Sequence, residues 1–151
     1  MAGCRYEYHL DYSSYPIPQL AAAAQRRIPA QSAAVELPLP GDAGSRARYA
    51  ERVAPARTFC LVEEAQMLRQ QGLFGHVTPR EMLVIGDAGP VENAWRFAGE
   101  GGTSDEPARH KLLDLIGDLA LVGRPLVGRI VAHRTGHAQN QELARRLLDM
   151  K

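Results

Sequence analysis

The chain has 151 residues, with 18 basic against 17 acidic side chains and a formal net charge of +1, so no basic excess argues for a nucleic-acid partner. Hydrophobic residues make up 45% and charged residues 23%, the balance of a globular chain long enough to bury a core. The longest apolar runs, such as 119–122, are far too short to cross a bilayer. Residues 1–8 lack the apolar stretch of a signal peptide. Cys4 and Cys60 form no CxxC pair and no disulfide framework, which points to a reducing, cytoplasmic compartment.

Residues 5–12 alternate: Tyr6, Tyr8, Leu10 and Tyr12 point one way, Glu7, His9 and Asp11 the other. That pattern predicts a half-buried strand. Prolines bracket 13–27, which reads as a loop with a short helical turn in its alanine run. Residues 33–37 form a second strand stopped by Pro38 and Pro40. A turn at 41–44 leads to a short helix over 46–53, which ends before Pro55 because the residue preceding a proline disfavours helix. Residues 57–62 form a strand by their aromatic and β-branched content. An amphipathic helix over 63–71 opens on Glu63 and Glu64 and stops at Gly72. The apolar run 82–85 is a strand, and 86–90 turns the chain. Together 57–90 make a strand-helix-strand unit. The loop at 99–102 is glycine-rich but matches neither GxGxxG nor the Walker pattern.

Thr103-Ser104-Asp105-Glu106 fits a capping box, and Pro107 suits the first position of a helix. Leu112, Leu115, Ile116 and Leu119 give that helix a core face, and Gly123 and Pro125 end it. A strand follows over 126–133. A last helix runs from His137 to about Asp149, with Leu143, Leu147 and Leu148 inward. No internal repeat is visible. The mixture predicts a single α+β domain over 1–151: a two-layer sandwich, helices on one face of a mixed sheet, with 57–90 as an insert.

His110, Asp114 and Asp118 are spaced four apart, so they share one helix face. His110 and Asp114 can converge as two ligands of one metal ion, and zinc accepts imidazole nitrogen and carboxylate oxygen. The spacing alone equally describes a surface histidine beside a solvated charge. Asp118 suits a structural carboxylate, or an acceptor that fixes the tautomer of a histidine ring.

The same residues carry a resemblance. Ala56-Arg57-Thr58-Phe59, then Arg109-His110-Lys111-Leu112-Leu113-Asp114-Leu115-Ile116-Gly117-Asp118, then Thr135-Gly136-His137-Ala138-Gln139-Asn140 resemble the UDP-3-O-acyl-N-acetylglucosamine deacetylases. These are zinc amidases of lipid A biosynthesis in bacteria. Tyr8-His9-Leu10-Asp11-Tyr12, Ile28-Pro29-Ala30-Gln31-Ser32 and Val53-Ala54-Pro55-Ala56 are similar to parts of that family's second domain. The resemblance implies that His110 and Asp114 are two of three ligands to zinc, or to iron(II), which accepts the same donors. It implies that His137 protonates the leaving amine or stabilises the charged transition state, and that Asp118 orients His137. Thr58 would hydrogen-bond the oxyanion, Lys111 would meet the substrate's diphosphate, and Phe59 would line the cleft. Met67, Leu68, Leu73 and Phe74 would line a passage for the acyl chain, or simply fill a core.

The resemblance extends only to the second of the family's two domains. The family's first domain supplies the third ligand, a histidine, and a glutamate general base. His9, His76 and His133 lie outside any matching ligand motif, and Cys60 stands where a glycine is usual. The implied partners are therefore UDP-3-O-acyl-N-acetylglucosamine and a further domain, on a separate chain or a longer product. No nucleic acid and no transmembrane segment is expected. The alternative reading is a non-catalytic module or truncated fragment that retains UDP-sugar or acyl-chain binding.

Overall fold

In the computed structural model, residues 2–39, 42–73, 75, 77–78, 80–99 and 103–150 are described. Phe74, His76 and residues 100–102 of the glycine-rich loop lie outside them. The described residues form an α+β fold, met as expected, with five α-helices and two three-stranded sheets. They fall into two compact units: 1–10 with 31–56 and 108–151, and 11–30 with 57–107.

The first unit is built on β1 (Ala2–Leu10), which pairs antiparallel with β2 (Gln31–Leu39) and parallel with β6 (Gly128–His133). Cys4, Tyr6, Tyr8 and Leu10 are buried, and their register neighbours Val35 and Ala132 are buried with them. Arg5, Glu36, Arg129 and His133 on the alternate positions are exposed. The sheet is thus buried on one side, as the period-two pattern requires. β2 runs past Pro38, where a stop was expected. It is an edge strand, so a missing N–H on its open side breaks no ladder. Across from it a Cβ on Gly3 would stand 2.6 Å from the Pro38 Cα, so only glycine fits there.

Three helices complete this unit. Asp42 caps α2 (Ala43–Arg52) by accepting from the Ser45 backbone N–H at 2.6 Å. α4 (Glu106–Ala120) buries Leu112, Leu115 and Leu119 of the predicted core face and leaves its fourth member, Ile116, half-buried. α5 (His137–Asp149) differs from expectation. Its buried residues are Asn140 and Ala144, while Leu143 and Leu148 are exposed. The inward strip is narrow, and the leucines flank it.

In the second unit β3 (Thr58–Leu61) pairs parallel with β4 (Met82–Gly86) through α3 (Val62–Gln70), the predicted strand-helix-strand arrangement. A short β5 (Gly89–Pro90) adds an antiparallel edge where only a turn was expected. The alanine run is a helix, α1 (Ala21–Arg27), following a 3-10 turn over Pro18–Leu20. Tertiary contacts hold it. Arg27 grips Glu63 with two hydrogen bonds, 2.6 and 2.9 Å, and donates Nε to Asp87 at 2.8 Å. Arg26 reaches the same Asp87 oxygen at 2.7 Å.

The start of α4 also differs. Glu106 does not fold back as a capping-box residue. Ser104 Oγ accepts from the Glu106 N–H at 3.1 Å, and the Glu106 carboxylate is used elsewhere. It accepts from Arg57 Nε at 2.9 Å, Arg57 Nη2 at 3.2 Å, and the backbone N–H groups of Arg57 and Arg96 at 3.2 and 2.8 Å. Both side chains are almost fully buried.

Removing one member of a buried ion pair strands the other charge, at about 3–5 kcal/mol. We predict that Glu106→Ala lowers the stability measured by urea titration by that amount, and that Glu106→Gln costs less because its amide oxygen still accepts. A second prediction concerns acid. Hydrogen bonds from Arg129 and His9 hold Glu7 at about 2, below its ordinary 4.5. Its folded pKa is depressed, so the unfolded state binds more protons between these values and stability rises with pH there. Its contribution is complete above the ordinary value and is lost as pH falls toward 2. Glu7→Gln should flatten that part of the urea-midpoint-against-pH curve.

Candidate metal and acid–base site

Helical spacing puts His110, Asp114 and Asp118 on one face of α4, and the first unit adds partners to each. His110 Nδ1 lies 3.1 Å from the Ala56 carbonyl oxygen. A carbonyl only accepts, so the proton sits on Nδ1 and Nε2 carries a lone pair. Nε2 is 3.4 Å from Asp114 Oδ1. Two ligands on one tetrahedral zinc, each at about 2.0–2.2 Å, stand roughly 3.3 Å apart. The pair therefore fits two corners of such a site, with a backbone acceptor fixing the ring in the manner usual for metal-binding histidines. Burial pushes His110 below its ordinary value of 6.5, against the opposing pull of Asp114 and the Ala56 hydrogen bond. The neutral ring is the form that binds metal. Lys111 reaches Asp114 Oδ2 at 3.3 Å from the same helix. Among the described residues no group of three His, Cys, Asp or Glu side chains is arranged to hold a metal ion.

The second dyad links α4 to α5. His137 Nδ1 lies 2.8 Å from Asp118 Oδ2. Asn140 Nδ2 donates to that same oxygen at 3.0 Å, and Gln141 Nε2 stands 3.5 Å from Oδ1. Burial would raise the Asp118 pKa, but the hydrogen bonds from Asn140, His137 and Gln141 outweigh it and hold the carboxyl below its ordinary value. Asp118 is 8% exposed, whereas the His137 side chain is 62% exposed. The result is an anchored anion carrying an accessible imidazole.

The turn before His137 is held from β1. Tyr8 donates its hydroxyl to the Thr135 carbonyl. Arg134 adopts a left-handed φ of 56°, unusual for a residue with a side chain, and its N–H bonds the His9 carbonyl at 3.0 Å. Sequence reasoning missed Ala56, Asn140, Gln141 and Tyr8 as supports. Asn140 had a legible signal: it lies three residues after His137, on the same helical face.

Of the remaining sequence-predicted residues, Thr58 opens β3 in the second unit and is exposed. Phe59 follows it, half-buried, with the Tyr12 ring edge-on at 6.4 Å. In the same unit Met67 and Leu73 are exposed and Leu68 is half-buried. His9 and His133 stack as parallel rings 4.6 Å apart on β1 and β6, with His9 Nε2 3.0 Å from Glu7. The Cys60 thiol is buried, which pushes it up to about 11, so it is an inert core thiol.

The protein-family model for LpxC, UDP-3-O-acyl N-acetylglycosamine deacetylase, matches residues 20–149. The chain belongs to this deacetylase family. Relatives named UDP-3-O-acyl-N-acetylglucosamine deacetylase include one from Chlamydia abortus, 42% identical over 102 residues, which is 68% of this chain and 35% of the relative. One from Thermosynechococcus vestitus is 44% identical over 102 residues, 68% of this chain and 34% of the relative. One from Chlamydia trachomatis is 38% identical over 112 residues, 70% of this chain and 35% of the relative. The chain thus spans about a third of the length of the curated deacetylases it matches. The family match runs through both dyads and through Thr58 and Phe59.

The geometry of His110 makes a direct prediction. In metal-free protein, ring nitrogen NMR should show more than half of His110 neutral at pH 6.5, with the proton of that form on Nδ1. Asp114→Asn should lower its pKa further, because the carboxylate is what favours the charged ring. A ring protonated at that pH would contradict the burial argument.

Proposed function

We propose that this chain forms part of a metal-dependent deacetylase that hydrolyses the N-acetyl group of UDP-3-O-acyl-N-acetylglucosamine, releasing acetate, in lipid A biosynthesis. The observation that carries this reading is the His110–Asp114 pair at ligand–ligand separation in a chain of the deacetylase family. His110 Nε2 and Asp114 Oδ1 are two donors suited to zinc, and equally to iron(II). A metal held there would supply Lewis-acid polarisation of the amide carbonyl and a water of lowered pKa.

The chain's own residues would do the rest. His137 is oriented through Nδ1 by Asp118, so Nε2 is the nitrogen that meets the reacting group. In its protonated form it delivers that proton to the leaving amine, since an amine anion leaves poorly. The Asp118 carboxylate, kept ionised by its donors, stabilises the imidazolium. Thr58 takes the oxyanion role by its family position: a hydroxyl donor strengthens as charge develops on the carbonyl oxygen. Lys111 would offer its ammonium to the diphosphate, exchanging Asp114 for phosphate oxygens. Phe59 would line the cleft, and Met67, Leu68 and Leu73 would line the acyl passage. The third metal ligand and the general base come from a further domain, on a separate chain or a longer product. The reaction would take place in the cytoplasm. No helix among the described residues is long and apolar enough to cross a membrane.

The test is acetate release from UDP-3-O-acyl-N-acetylglucosamine by the chain together with the domain that completes the site. Activity should vanish with chelator and return with zinc. His137→Ala should lower kcat by about 10²–10⁴-fold, the range for a general acid. Thr58→Ala should lower it by about 10²–10³-fold. Metal-independent turnover, or no turnover from the completed assembly, would sink the proposal.

A further inference from the structure

α5 buries few positions, and one of them is an amide. Asn140 is 2% exposed. Its Nδ2 donates to Asp118 Oδ2 at 3.0 Å, while its buried Oδ1 meets no hydrogen-bond partner among the described residues. The amide cannot turn over to relieve this, because a carboxylate accepts only and Oδ1 would then face an anion. A buried acceptor left unpaired destabilises the fold. An apolar residue of similar size would avoid that cost, so packing alone does not account for asparagine here.

The oxygen it meets matters. Asp118 Oδ2 also receives His137 Nδ1 at 2.8 Å. With His137 as its only donor, the carboxylate could rotate about its last side-chain bond and turn its lone pairs away from the ring, weakening its hold on the Nδ1 proton. The Asn140 amide, three residues on from His137 in the same helix, removes that freedom. Gln141 reaches the other oxygen only at 3.5 Å, a weak contact.

We propose that Asn140 is a positioning residue for His137: by donating to Asp118 Oδ2 it fixes the plane of that carboxylate, which holds the imidazole proton on Nδ1 and leaves Nε2 for the reacting group. The catalytic consequence rests on the acid–base reading of His137 given above; the tautomer itself does not.

The test is ring nitrogen NMR of His137 in the metal-free chain, with the fold checked by circular dichroism. The wild-type neutral ring should be a single Nδ1–H tautomer. Asn140→Leu keeps the volume and removes the donor, and should give a mixture of tautomers. Gln141→Leu should leave the wild-type spectrum. If Asn140→Leu does not fold, Asn140→Ser is read in its place, with the same expectation. An unchanged Nδ1–H tautomer in whichever variant folds overturns the proposal. So does failure of both to fold, since Asn140 would then serve the fold rather than the ring. In the completed deacetylase assembly Asn140→Leu should lower kcat by about 10-fold or more with little change in KM, as for other groups that orient a catalytic residue. If the wild-type assembly releases no acetate, the deacetylase reading fails while the ring spectra still decide the role of Asn140.

Discussion

The Glu106 carboxylate gathers three stretches of chain at one buried point. It takes the guanidinium and backbone N–H of Arg57 and the backbone N–H of Arg96, and Arg57 passes a further hydrogen bond to the Ala94 carbonyl at 2.9 Å. Taking two charges out of water costs several kcal/mol each, and only near-complete pairing offsets it. That requirement leaves little freedom in how the entry to β3, the segment at 94–96 and the first turn of α4 are arranged. α4 starts at Glu106, so the pair also sets the origin from which His110, Asp114 and Asp118 are counted along the helix.

From that origin the site divides into two dyads with opposite electrostatic designs. His110 is half-buried, pushed toward its neutral form by desolvation and fixed by a backbone carbonyl, which suits a lone-pair donor. His137 is exposed and tied to a carboxylate that its neighbours keep ionised. Two histidines with the same intrinsic chemistry thus stand in different settings according to what meets Nδ1: a neutral carbonyl in one case, an anion in the other. Lys111 and Asp114 share the face of the first dyad, so an anionic substrate would compete for a cation that already has a carboxylate beside it.

Much of this was legible before the structure. The period-two pattern of residues 5–10 and the apolar spacing of Leu112, Leu115 and Leu119 report β1 and α4 because burial on one face leaves a direct trace in residue type. The α4 motif and His137 were legible because spacing and resemblance both bear on them. Other features leave no such trace. α1 is a short alanine-rich segment whose helicity depends on Arg27 finding Glu63 and Asp87, residues far along the chain. Glu106 looked like a cap because a glutamate three residues after a threonine commonly is one. Its actual partners are distant in sequence. α5 looked like a leucine-faced helix, yet its inward positions are Asn140 and Ala144, because the needs of Asp118, not apolar area, decide what faces in. The Ala56 carbonyl could not be found from side chains at all.

His110, Asp114 and Asp118 owe their common face to a count of residues rather than to any property of those between them. An α-helix turns through roughly 100° per residue. Losing or gaining one residue between His110 and Asp118 would swing the side chains on either side of it about a quarter-turn apart, with every amino acid of the site still present. Substitutions at the solvent-facing Gly117 or Ala120 carry no such penalty. The segment from 110 to 118 is therefore rigid in length, and replacement is tolerated at its solvent-facing Gly117.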